Sequence, residues 1–405
     1  MKKIKLEENE NIECSNKVIL LDNPTYVSFS LNANGIYLPS IKKGDYVYQE
    51  EKIAIKKGNH FPIFSSVSGI VKVVDANKIL IRNDFKNRVR EHNIVEHSLN
   101  TYTKSEISNI LFQLGIMNSL DEEEPYKILS EAVNKTLIIN ALQQEAYIYL
   151  QTFLLKIERK ELLELMEAFL EIYNFEEILI VVPKNQELLL EEWKLCIKDS
   201  NIKMVEIEEY YSLSKTRELV RAIKKVTYKK TPAESGIIVF NVSTMLAIYG
   251  ALKYRRPQIK TMIQFTGNMW KNNCYMEVRI GTSLQEAIEQ LSYKRAKDIL
   301  LLKGGIVSGN SININDFVID TKALVFTAWK VTNETKQESC TRCGKCSQAC
   351  PMSLHPVLIM EAISKKRNLS RFELQRCIDC GVCNYVCPSN IDIYKRLKEA
   401  KENLL

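Results

Sequence analysis

Between about residues 104 and 255 the apolar positions switch repeatedly between two periods. Leu162, Leu165, Met166 and Phe169 fall at i, i+3, i+4 and i+7, which is one face of a helix. Short β-branched runs at 136–140, 178–182, 204–207 and 236–241 alternate with such helical stretches. Strands separated by helical patterns predict a mostly parallel sheet covered by helices, so residues 99–255 read as an α/β, Rossmann-like unit. Residues 1–98 read as all-β. Leu38-Pro-Ser-Ile-Lys-Lys-Gly44-Asp45-Tyr-Val47, Glu51-Lys-Ile53-Ala-Ile55 and Phe61-Pro-Ile-Phe-Ser-Ser-Val67-Ser-Gly69-Ile-Val71 are short runs punctuated by Gly-Asp and Ser-Gly turns. Residues 256–332 suggest a small β-grasp unit and a linker. Its strands are expected at 260–268 and 276–283, with a short helix at 284–291. Residues 333–405 form a last unit, closed by a charged helix at 394–403.

A chain of 405 residues is too long for one hydrophobic core, so a multidomain α+β protein is expected. No apolar run approaches the length that crosses a bilayer. The opening Met-Lys-Lys-Ile-Lys-Leu-Glu-Glu has no apolar secretory core. A cytoplasmic location follows as the expectation, with docking on the inner face of a membrane complex left open. The formal charge is +7, but Lys and Glu are interspersed and no basic stripe stands out, which argues against a nucleic-acid partner.

Cysteine usage changes the picture most. Of the 11 cysteines, all but Cys14, Cys196 and Cys274 fall between Cys340 and Cys387. They form two runs, Cys340-Thr-Arg-Cys343-Gly-Lys-Cys346-Ser-Gln-Ala-Cys350-Pro351 and Cys377-Ile-Asp-Cys380-Gly-Val-Cys383-Asn-Tyr-Val-Cys387-Pro388. The tight first spacings let a turning backbone aim three thiolates at one cubane, and in two-cluster proteins the fourth ligates the other cluster. Two [4Fe–4S] clusters are therefore expected. Cluster one takes Cys340, Cys343, Cys346 and Cys387; cluster two takes Cys377, Cys380, Cys383 and Cys350. Each fourth cysteine is expected to begin a following helix. Structural zinc is the competing reading, but zinc sites supply cysteines in widely separated pairs. At about −2 for each cluster with its thiolates, two clusters bring the formal +7 to about +3. Arg342 and Lys345 should favour reduction beside the first loop, and Asp379 should oppose it beside the second.

The N-terminal pattern resembles the barrel-sandwich fold of lipoyl and biotinyl domains. Their modified hairpin-tip lysine would correspond to the neighbourhood Lys56-Lys57-Gly58-Asn59, which shows no modification motif, so a structural role is expected. The order of the parts resembles the C-type component of the Rnf electron-transport complex (RnfC-like) and its relatives, which include proline reductase-associated electron-transfer proteins. The resemblance is carried by Lys43-Gly-Asp45, Phe265-Thr-Gly267, Arg279-Ile-Gly281-Thr282, Gly304-Gly305 with Gly309, and both cysteine runs. It implies an N-terminal barrel-sandwich domain, a flavin/NADH-binding α/β domain, a β-grasp (SLBB) domain and a C-terminal helical, ferredoxin-like two-cluster domain. It also implies redox partners: ferredoxin, a flavoprotein or reductase subunits.

The departures matter as much. Where the family has a glycine-rich loop, this chain reads Gly115-Ile-Met-Asn118-Ser-Leu120-Asp121-Glu-Glu123-Glu124-Pro125. Side chains take the space a nucleotide would need, and carboxylates repel its phosphates. A second family stretch is here Asn140-Ala-Leu-Gln-Gln-Glu145-Ala-Tyr147. Asn140, Glu145 and Tyr147 remain as the candidate flavin/NADH residues, while the glycine, the first acid and the proline are lost. No G-x-G-x-x-G occurs. The resemblance thus implies a kept fold with degraded FMN/NADH chemistry. The leading expectation is an electron-transfer subunit relaying single electrons through two clusters. The alternative is an FMN-dependent NADH oxidoreductase subunit. His60, His92, His97 and His355 lie far apart, and no catalytic acid–base or nucleophile set is found.

Overall fold

The computed structural model describes residues 4–5, 12, 14–33, 35–90, 95–120, 123–130, 135–143, 145–184, 186–198, 200–291, 299–315, 317–331 and 336–402. Asp121, Glu122 and His92, singled out from the sequence, lie outside these. The chain is a multidomain mixture of sheets and helices.

The expected parallel sheet is present. Its strands run Ile202–Ile207, Glu177–Pro183, Thr136–Asn140 and Ile237–Asn241 across the sheet, every pair parallel. The two central strands are buried along almost their whole length, as a sheet covered on both faces requires. Helix Arg159–Tyr173 presents Leu162, Leu165, Met166 and Phe169 to this core, all at 0% exposure. Burying each such side chain contributes about 1.5–3 kcal/mol. Helices Lys104–Gln113 and Val242–Tyr254 share that face, while Thr216–Lys224 packs Leu219 and Val220 on the other. Helix starts are set locally. Thr103 and Glu106 close a capping box, and Asn241 accepts the Thr244 N–H at 2.9 Å.

The N-terminal strands form two small sheets around a shared core of Val27, Ile53, Val67, Ile79 and Ile81. Lys52–Lys56 and Pro62–Phe64 make the hairpin whose tip holds Lys57 and Gly58. A six-stranded mixed sheet follows. It contains the anticipated strands, here Lys260–Thr266 and Asn273–Arg279, and the helix Leu284–Glu289. Its edge is Cys14–Leu21, paired in parallel with Asn273–Arg279, so the sheet recruits a strand from the far end of the chain. Val325–Lys330 and Ile299–Lys303 complete most of the other side.

One side chain clamps these two parts. The buried Arg279 guanidinium donates to Asp22 O, Gln49 Oε1, Ser66 O and Asn87 Oδ1 at 2.8–3.0 Å. Burial lowers its pKa, yet four acceptors satisfy it. The C-terminal part consists of short helices around Ile359, Leu374, Ile393 and Leu397, closed by Ile393–Glu402. Among the described residues, no helix is long and apolar enough to cross a membrane.

Candidate metal centre

Both cysteine runs fold the same way. Gly344 and Gly381 take φ +74° and +73°, conformations that suit a residue without Cβ, and each opens a short helix, Lys345–Ala349 and Val382–Tyr385. The third cysteine of each run, Cys346 or Cys383, lies inside that helix. Cys350 and Cys387 come just after these helices rather than beginning the next one. The helices are so short that the fourth cysteine already lies beyond their ends.

A cavity of about 430 Å³ is lined by Cys340, Cys343, Cys346 and Cys387. Those are three thiols from the first run and the last of the second. Cys350, in turn, lies near enough to Cys380 and Cys383 to influence both thiols. The fold thus brings each fourth cysteine to the other run's set. Among the described residues, no group of three or more His, Cys, Asp or Glu side chains stands ready to hold a single metal ion. A volume bounded by soft sulfur donors fits an iron–sulfur cubane.

The two sets differ in their surroundings. Cys340 and Cys343 are exposed, and the Lys345 backbone N–H lowers the Cys343 pKa. Burial pushes Cys377 up to about 12 and Cys380 up to about 11, and raises Cys383 as well. A positively charged metal core, where bound, would favour the thiolate form of these buried thiols. The charges expected to tune the loops are partly balanced. Asp379 accepts from Lys401 Nζ at 2.6 Å, and Arg342 approaches Glu361 at 4.0 Å.

The second run and the end of the first, which supplies Cys350, are both seated on the α/β unit. The buried Tyr211 hydroxyl donates to Cys380 O. Arg221 Nη1 donates to Pro351 O at 3.3 Å, and its Nη2 to Glu218 Oε2 at 2.7 Å. Burial raises the pKa of Glu218, which is fully enclosed. Tyr211, Glu218 and Arg221 carry no sequence signal, because they reach the cysteines only through contacts more than a hundred residues apart.

The candidate nucleotide residues are engaged within the chain. Asn140 Nδ2 donates to Ser214 O at 2.7 Å. Glu145 accepts from Val307 and Ser308. Tyr147, at φ +66°, lies 5.4 Å from the Trp329 ring. Glu145 and Tyr147 therefore meet the six-stranded sheet unit, while Asn140 faces Ser214. In the loop that is glycine-rich in the resembled family, Ser119 bonds Asn241 and Thr244, and Leu120 packs on the cluster containing Ile138 and Leu142. Glu124 turns inward to Lys127 at 2.8 Å and to hairpin-tip Lys56 at 3.7 Å, so its charge is compensated.

Two family models match the chain: a Nuo51 FMN-binding domain over residues 123–250 and a 4Fe-4S dicluster domain over residues 334–391. The C-type component of an ion-translocating oxidoreductase complex from Buchnera aphidicola is 26% identical over 78% of this chain, which spans 66% of that protein. The corresponding component of a proton-translocating ferredoxin:NAD(+) oxidoreductase complex from Clostridium ljungdahlii is 24% identical, over 79% of this chain and 74% of that protein. Among solved structures, an NAD+-reducing [NiFe]-hydrogenase in the H2-reduced state superposes with TM-score 0.51 and 10% identity. That likeness covers 76% of this chain and 61% of the hydrogenase chain, and it concerns the fold.

Proposed function

We propose, from its likeness to the C-type components of ion-translocating oxidoreductase complexes, that this RnfC-like chain relays single electrons between partner proteins. The observation that carries this is the cavity ringed by Cys340, Cys343, Cys346 and Cys387. When bound, two [4Fe–4S] clusters supply one-electron uptake and release. The chain's own residues hold the thiols, shield one set and expose the other. Cys377, Cys380, Cys383 and Cys350 would hold the enclosed cluster against Tyr211 and Arg221. Cys340, Cys343, Cys346 and Cys387 would hold the cluster that meets a partner, since two of these thiols are exposed.

On this reading residues 1–98 are a barrel-sandwich domain, though strand Cys14–Leu21 serves the next sheet. Residues 99–255 are a degenerate flavin/NADH-like domain, 256–332 an SLBB domain with linker, and 333–405 the ferredoxin-like dicluster domain. Partners are ferredoxin, a flavoprotein or reductase subunits, met in the cytoplasm or at the inner face of a membrane complex.

We read the α/β domain as a scaffold because its site residues do not fit a flavin phosphate. Leu120 covers apolar sheet surface where the related loops carry glycine, and Glu145 is already bonded to Val307 and Ser308. The match of residues 123–250 to an FMN-binding domain favours the alternative, an FMN-dependent NADH oxidoreductase subunit. Anaerobic titration separates the two. The relay accepts about two electrons per chain from dithionite, is not bleached by NADH, and releases no stoichiometric flavin on denaturation. Bleaching by NADH with one flavin per chain would select the alternative.

A further inference from the structure

We propose that Glu145 is a positioning residue for the second cysteine loop, acting through the backbone at Val307 and Ser308. The inference rests on the relay reading and gives its enclosed cluster a support. Glu145 leaves the α/β unit just after strand Thr136–Asn140 and is 5% exposed. One carboxylate oxygen accepts the Val307 N–H at 2.7 Å. The other accepts the Ser308 N–H at 2.9 Å and the Ser308 hydroxyl. Among the described residues no Lys or Arg pairs with this carboxylate, so three donors from one loop carry its charge. Hydrogen bonds to an ionised acceptor in a low-dielectric site are the strong kind.

The loop is shaped to receive that carboxylate. A Cβ on Gly305 would stand 2.2 Å from Glu145 Oε2, and one on Gly309 would stand 2.2 Å from Gly305 O. Only glycine allows both approaches. On its other side the same loop meets the second cysteine run. A Cβ on Gly381 would stand 2.5 Å from Val307 O. Val307 also packs in one apolar group with Tyr211, Cys380, Val382 and Ile378. Three parts of the chain therefore meet: Glu145 grips Val307 and Ser308, and these form the wall along which Cys380 and Gly381 turn. The same carboxylate cannot face a nicotinamide or flavin without releasing this loop.

The test compares wild type, E145Q and S308A as full chains purified anaerobically. E145Q keeps the shape but turns one acceptor oxygen into an amide donor facing an N–H. S308A removes one of three donors and leaves the backbone intact. Hydrogen exchange and the rate of iron loss to a chelator are read on each. In E145Q, exchange at Val307, Ser308 and Gly381 should rise at least tenfold. Iron from the Cys377 set should leave several-fold faster, while the Cys340 signal in the reduced spectrum stays unchanged. S308A should move the same readouts in the same direction by less, and it decides the matter if E145Q fails to fold. Wild-type exchange and chelation in E145Q, or in S308A where E145Q does not fold, overturns the proposal. So does loss of NADH binding in E145Q with exchange at 307–308 unchanged. Should wild type prove to hold no iron, the relay reading fails, yet exchange at 307–308 still reports on Glu145.

Discussion

Gly344 and Gly381 offer a matched pair within one protein. They occupy the same place in the two cysteine runs and have nearly the same φ, +74° and +73°. An alanine at either must adopt the left-handed conformation, at a cost of about 1–2 kcal/mol. Around Gly344 nothing lies within 4 Å of the new Cβ. At Gly381 it would meet Val307 O at 2.5 Å and Val307 C at 3.2 Å, both backbone atoms of a loop held by Glu145. Overpacking of that kind adds about 1–3 kcal/mol. G344A should therefore cost about 1–2 kcal/mol and G381A about 2–5 kcal/mol. The difference of about 1–3 kcal/mol corresponds to roughly a five- to 150-fold ratio. Anaerobic loss of cluster absorbance to an iron chelator, in mild guanidinium, reads it as a ratio of rates. Equal acceleration in both variants would refute the claim that Val307 braces the second run.

Other predictions follow from single contacts. C387S, though it alters the second run, should empty the first site and lower iron from about eight to about four per chain. C350S should do the converse, and each variant is read by metal content and the surviving reduced spectrum. Y211F removes the donor to Cys380 O and should cost about 0.5–1.5 kcal/mol at the second run alone, read by exchange at Cys380 and Gly381. Hydrogen bonds from Lys224 and Lys203 lower the pKa of Glu177. Its contribution is therefore present above the ordinary carboxylate value of 4.5 and lost as pH falls through the depressed folded value. Exchange in strand Glu177–Pro183 should differ between wild type and E177Q by a constant factor above that range, and the gap should close as pH falls below it.

Local signals made much of this fold legible. The stripe from Leu162 to Phe169 and the β-branched runs around Ile138 and Ile180 specify their own elements, because burial on one face or both leaves a period in the sequence. The cysteine spacing did the same for the metal centre. What stayed hidden depends on long-range contact. Strand Cys14–Leu21 finds its partner more than 250 residues away, and nothing in its composition says which sheet it will join. The charge on Glu124 reads in the sequence as set against a ligand, yet Lys127 and distant Lys56 compensate it. Glu145 reads there as a residue waiting for a nucleotide, because its bonds to Val307 and Ser308 cross more than 160 residues. Cys350 and Cys387, expected to begin a following helix, instead come just after the short helices Lys345–Ala349 and Val382–Tyr385, because those helices end before the fourth cysteine is reached.

The most direct measurement is iron, acid-labile sulfide and zinc on one anaerobically purified sample, with a low-temperature spin count after full reduction. The relay account requires about eight irons and eight sulfides per chain, negligible zinc, and two mutually broadened spins, because each cubane shares a cysteine run with its neighbour. About two zincs without sulfide, or a single isolated spin on about four irons, would contradict it.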